Sequence, residues 1–269
     1  MIEASEARVH CPGSPVIRIF PIAAIVALAS AMPPATALAR AKAPALVEPT
    51  LHIVPGGAAG PRVALTFDAC MGKSDMRILD TLIDNRLPAT IFVTERWIRT
   101  NRGVLETMLK HPDLFEIEDH GAMHVPAVDR PMRIYGIKAA GSAEAVRAEV
   151  AGGADAVLEA SGRHPQWFRG ATAKYTPAAI AEIRSMGLEV AGYSLNGDGG
   201  ATFSANLAQK RMAAAKDGDV VIAHINQPGR QSGGGVAKGI LDLKAKGYRF
   251  VKLADGDAVG SDATTSMAK

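Results

Sequence analysis

The sequence predicts an α/β domain on a mainly parallel sheet of about seven strands, and three observations carry that expectation. First, short β-rich apolar runs alternate with stretches of helical period from residue 62 to residue 253. Second, the runs at 62–68, 167–169 and 220–224 end in Asp68, Arg169 and His224. His120 and Asp198 fall just after two more. An apolar strand has no structural reason to finish in an ionisable group so often. The C-terminal rim of a parallel sheet is where α/β proteins assemble sites. Third, 269 residues with 48% hydrophobic and 21% charged content suit a globular chain of one large domain or two small ones. Periodicity does not separate a barrel from a doubly wound open sheet.

Each element has its own signal. Residues 63–67 are a β-rich run, and Ser74 can cap a helix whose face carries Ile78, Leu79, Leu82 and Ile83. Residues 89–94 read as a second strand, and Val104, Leu105, Met108 and Leu109 mark a second helix. Residues 115–117 make a short strand before a proline-bearing loop. Ser142 then opens a helix with Val146, Val150, Val157 and Leu158, interrupted at Gly152-Gly153. After a strand at Trp167-Phe168, Thr176-Pro177 is an N-cap and first-turn pair for a helix with Ile180, Ile183 and Met186. A strand at 189–195, a helix near 207–215, a strand at 220–223, a helix at 236–246 and a strand at 249–253 complete the order.

The termini read differently. Arg8 and Arg18 precede an apolar stretch over 19–32, and Ala37-Leu38-Ala39 is a small-x-small cleavage site. Residues 1–39 are therefore expected to be a signal peptide, giving a secreted or periplasmic protein. The stretch contains Pro21 and is short for a span, and no later segment is long and apolar, so no stable membrane insertion is expected after cleavage. Cys11 leaves with the signal, which deprives Cys70 of a disulfide partner. Residues 40–60, rich in Ala, Pro and Gly, read as a flexible leader, 61–255 as one domain, and 256–269 as a disordered tail. A net charge of +3 gives no argument for nucleic acid.

The chemistry centres on His120 and His124, two imidazoles four residues apart that can close on one metal ion. Thr66-Phe67-Asp68, His120-x-x-x-His124, Phe168-Arg169, Tyr193 to Asp198, and Ile222-Ala223-His224 follow in that order. Together they resemble the five motifs of the polysaccharide deacetylases, carbohydrate esterase family four, over residues 62–253. The resemblance implies a distorted (β/α) barrel of seven strands. It also implies removal of acetyl groups from an N- or O-acetylated glycan with a divalent metal, usually zinc. Asp68 resembles the catalytic base, Arg169 the arginine that pairs with it, Asp198 the carboxylate that tunes the last histidine, and His224 the general acid. His120 and His124 resemble two metal ligands.

Three departures stand out. Ala69 occupies the place of the family's second Asp, the third metal ligand, which leaves Asp68, Cys70, Asp119 or water for that role. Gly170 to Ala173 replace a proline-rich segment, and Gly199 stands where a tryptophan is expected, which should open the groove. The plain alternatives are a packed thiol at Cys70, a loop carboxylate at Asp119, turn chemistry at Asp198, an ion pair at Arg169 and core roles for His224, Trp97 and Trp167. A glycan-binding protein that kept the scaffold but lost turnover is the competing functional class.

Overall fold

The structure is a computed structural model describing residues 45–261, so the expected signal segment 1–39 lies outside the described residues. The chain runs through β1 (Thr50–Ile53), β2 (Arg62–Ala69), α1 (Met76–Asp84), β3 (Ala89–Val93), α2 (Glu95–Thr100), α3 (Arg102–Leu109) and β4 (Phe115–Asp119). A small hairpin, β5 (Arg133–Ile134) and β6 (Ile137–Lys138), precedes α4 (Ala143–Ser161), β7 (Trp167–Phe168), α5 (Pro177–Ser185) and β8 (Glu189–Val190). Then come β9 (Leu195–Asn196), α6 (Ala205–Met212), β10 (Val220–His224), α7 (Ser232–Ala245), β11 (Arg249–Val251) and β12 (Ala258–Ser261). None of the described helices is long and apolar enough to cross a membrane.

The main sheet has the order β8-β7-β4-β3-β2-β10-β9, with β11 beside the first half of β2, and its neighbours are parallel. β2 is central and covered on both faces, which is why it reads as a continuous apolar run. Val63, Leu65, Phe67 and Ala69 pack outward in the largest core cluster, with residues of α1 and α7. Ala64 packs in a separate cluster with Phe92, Ala191 and Val220, joined by Leu51 and Ile53 of β1.

The two edge strands, β8 and β9, are consecutive in the chain. Only residues 191–194 separate them, so their ends lie within roughly 18 Å of one another even with the chain fully extended. The sheet must therefore curl until its edges approach, giving a distorted, incompletely closed (β/α) barrel. The carbonyls of Ala191 and Gly192 at the break accept from the Arg169 side chain. A Cβ on Gly192 would stand 2.1 Å from the Pro49 carbonyl oxygen, so this crossing needs glycine.

The structure corrects several expectations. The strand expected at 189–195 is split into β8 and β9 because its middle carbonyls serve Arg169. Gly152-Gly153 do not interrupt α4. Asp75, not Ser74, caps α1, while Ser74 hydrogen-bonds Asn101. Helix α2, capped by Thr94, is additional, and α7 begins at Ser232 rather than Val236. The leader expected at 40–60 and the tail expected at 256–269 contain β1 and β12, which pair antiparallel with Thr50 opposite Ser261. Reciprocal backbone bonds between Val47 and Tyr175 also hold the leader.

Candidate active site

The site is built at the C-terminal ends of β2, β4, β7 and β10. Register places Asp68 directly opposite His224 on the adjacent strand β10. Strand alternation then sorts the residues that follow. Asp68 and Cys70, two apart, share one face, whereas Ala69 is fully buried in the outer core. The Ala69 methyl therefore brings no donor atom to the site.

Arg169 is fully buried and reaches the Asp68 carboxylate through Nη1 at 3.1 Å. Its remaining donors go to Thr66 Oγ1 at 2.8 Å, Ala191 O at 3.3 Å and Gly192 O at 2.9 Å, and its guanidinium lies over the Phe92 ring at 4.3 Å. Burial pushes the Asp68 carboxyl up, but His120, Arg169 and His224 outweigh it and hold the pKa below the ordinary value. On the neighbouring strand, His224 N–H donates to Asp198 Oδ2 at 2.7 Å, and its Nδ1 sits 3.1 and 3.2 Å from the two Asp198 oxygens. Nδ1–H is thereby committed to Asp198. Burial disfavours the imidazolium, yet Asp198 prevails and raises the His224 pKa well above its usual range.

The histidine pair lies in a loop curled against α4. His120 Nδ1 faces the Arg169 carbonyl, which only accepts, so Nδ1 carries the proton and Nε2 faces the site. His120 Nε2 is 3.4 Å from Cys70 Sγ and 3.9 Å from Asp68 Oδ2. Burial lowers the His120 pKa, but Asp68 and Cys70 more than reverse this and raise it to about 9. His124 adopts a left-handed backbone (φ 61), and its ring centroid is 5.1 Å from that of His120.

Glu149 of α4, missed in the sequence reading, holds this loop. Its carboxylate accepts from Met123 N–H at 3.0 and 3.1 Å and from Val125 N–H at 2.9 Å, one on either side of His124. The available signal was an acid on the apolar stripe of a helix, since Val146, Glu149, Val150, Gly153 and Val157 are the buried residues of α4. A Cβ on Gly153 would stand 2.0 Å from Asp119 Oδ1, so this glycine lets the helix press against the loop.

Asp119, considered as a ligand, points elsewhere. Its Oδ1 accepts from Gly121 N–H at 2.7 Å, and its Oδ2 is buried without a partner. Among the described residues, the donor atoms of Cys70, His120 and His124 form a group within 4.8 Å of one another, a set of soft sulfur and imidazole donors that suits a divalent metal. Asp68 borders this group without belonging to it. Trp97 is a core residue, and Trp167 is partly buried against the cluster of Phe92 and Ala191.

The loop after Arg169 is held by its own contacts. Gly170 N–H donates to Tyr175 Oη at 2.8 Å, while Thr172 is left-handed (φ 72) with a buried, unpartnered hydroxyl. At Gly199 the Phe203 ring takes up space, since a Cβ there would lie 2.3 Å from it.

The sequence profile of the family described as Polysaccharide deacetylase matches residues 56–191. That span holds Asp68, Cys70, His120, His124 and Arg169 and stops short of Asp198 and His224. No curated protein matches the chain in sequence. Among solved structures, the peptidoglycan deacetylase PdaC from Bacillus subtilis is 24% identical with a TM-score of 0.58, over 72% of this chain and 88% of that one. PdaA from Bacillus subtilis, a family 4 carbohydrate esterase, is 20% identical with a TM-score of 0.60, over 75% of this chain and 82% of that one. BA3943 from Bacillus anthracis, a pseudoenzyme of the same esterase family, is 18% identical with a TM-score of 0.60, over 73% of this chain and 65% of that one. At these identities the likeness is one of fold.

Proposed function

Because the chain belongs to the polysaccharide deacetylase family, we propose that it is a metal-dependent hydrolase removing acetyl groups from an N- or O-acetylated polysaccharide or oligosaccharide. One observation carries the reading: Asp68 and His224 stand in register on adjacent strands, each held by its own partner, beside the histidine pair. A protein that only binds glycan has no use for a base and an acid tuned in opposite directions.

His120 and His124 hold the metal, with zinc as the expected ion. When bound, it supplies Lewis-acid polarisation of the acetyl carbonyl and lowers the pKa of a water. Asp68, kept ionised and aimed by Arg169, accepts the proton of the attacking water. A backbone N–H in the loop from Gly170 to Thr172 serves the developing oxyanion, and that of Gly170 is already taken by Tyr175. His224, protonated on Nε2 and backed by Asp198, delivers a proton to the departing sugar atom. The Ala-Leu-Ala site further supports export with cleavage after Ala39, which intact mass of the protein from its native host would check.

Acetate release from peptidoglycan, chitooligosaccharides and O-acetylated polysaccharide tests the activity. Release from at least one is expected. A second reading, a binder without turnover, draws on Ala69 and on BA3943, a pseudoenzyme of which one mutant has restored enzymatic activity. Glycan binding with no acetate from any substrate would favour it.

A further inference from the structure

We propose that Cys70, as a thiolate, is the third ligand of the metal, completing a Cys–His–His set that selects thiophilic ions such as zinc over magnesium or manganese. This rests on the metal-dependent reading above and names the ligand and ion class of that site.

Strand parity is the first support. β2 turns position 69 into the outer core and position 70 toward the site, so the thiol occupies the place from which a ligand can act. Geometry is the second. The Sγ–Nε2 separation of 3.4 Å is close to the ~3.6 Å edge expected between a sulfur and a nitrogen on one tetrahedral zinc. The third is the fixed tautomer of His120. With Nδ1–H pointed at the Arg169 carbonyl, Nε2 is the ring atom turned toward the Cys70 sulfur. In the metal-free protein one proton bridges these two atoms, and a metal ion in that place takes both as donors. The backbone that carries them is braced on both sides. Thr94 Oγ1 donates to the Cys70 carbonyl, and Glu149 fixes the amides flanking His124. Of the competing carboxylates, Asp68 has its Oδ1 held by Arg169, and Asp119 has its Oδ1 turned to Gly121 N–H. Three protein ligands leave a fourth position for water or substrate, as a catalytic zinc site requires.

Sulfur on the metal is read directly by X-ray absorption of the zinc-loaded wild-type protein, which needs no variant to fold. A sulfur shell at about 2.3 Å beside nitrogen is expected. Titration of chelator-stripped protein with Co²⁺ should give a thiolate-to-cobalt charge-transfer band in the near ultraviolet. Cys70→Ser should abolish that band and weaken zinc binding by at least ~100-fold, the upper end of the loss for a mere outer-shell partner. Bound zinc with only nitrogen and oxygen neighbours, and unchanged affinity in Cys70→Ser, would overturn the assignment while leaving His120 and His124 as ligands. No metal uptake by the wild type would overturn the metal-dependent reading itself.

Discussion

The ends of β2 and β4 deliver residues to the same site but use them in opposite ways. At the end of β2, Asp68 and Cys70 (just past the strand) are two residues apart and both face the site, with Ala69 sealed in the core between them. On β4, Asp119 and His120 are adjacent, and His120 alone turns inward while Asp119 folds back on Gly121 and α4. The energetic consequences differ as well. The Asp68 carboxylate is compensated by a fully buried guanidinium. Burial, which the Gly121 N–H only partly offsets, drives the Asp119 carboxyl well above its usual range. Parity along a strand therefore sorts neighbouring polar groups before their chemistry does.

Substitutions at these two ends sharpen or break that contrast. The largest effect is expected from Asp68→Asn, which should lower turnover by ~10²–10⁴ while elemental analysis finds the metal retained. Metal loss in that variant would make Asp68 a ligand and erase the distinction between base and ligand on β2. Ala69→Asp buries a charge without a partner, so urea unfolding should show a destabilisation of roughly 3–5 kcal/mol. An Ala69→Asp protein as stable as its parent, and binding metal more tightly, would show that position 69 reaches the site. Glu149→Ala frees the amides beside His124, and competition with a chelator should reveal metal affinity reduced by ~10–100-fold with unchanged circular dichroism. Glu149→Gln, which keeps an acceptor, should recover part of it. Asp119→Asn should do least, because the amide oxygen still accepts from Gly121 N–H. A marked fall in metal content or turnover there would contradict the sorting of the β4 end.

Much of this was legible in the sequence. Alternation of short apolar runs with helical periods gave the order of strands and helices, and Asp68, His120, Arg169 and His224 do meet at one rim. What escaped depended on tertiary contacts. Arg169 breaks the strand at 189–195 by drawing two carbonyls out of the ladder. Gly152 and Gly153 resemble helix breakers, yet they are where α4 meets the loop of His120 and His124. The sequence leaves both Cys70 and Asp119 open as ligands, and alternation at the end of β2 and the Asp119–Gly121 turn separate them. The pairing of β1 with β12 joins segments about two hundred residues apart, a contact that no local pattern encodes.

The central claim, a metal-dependent deacetylase, is tested most directly by one cycle of stripping and restoring the metal. Acetate release from the best acetylated glycan should vanish in the chelator-stripped protein and return on adding one equivalent of zinc. Release that survives stripping, or a zinc-loaded protein that binds glycan and frees no acetate, would contradict it.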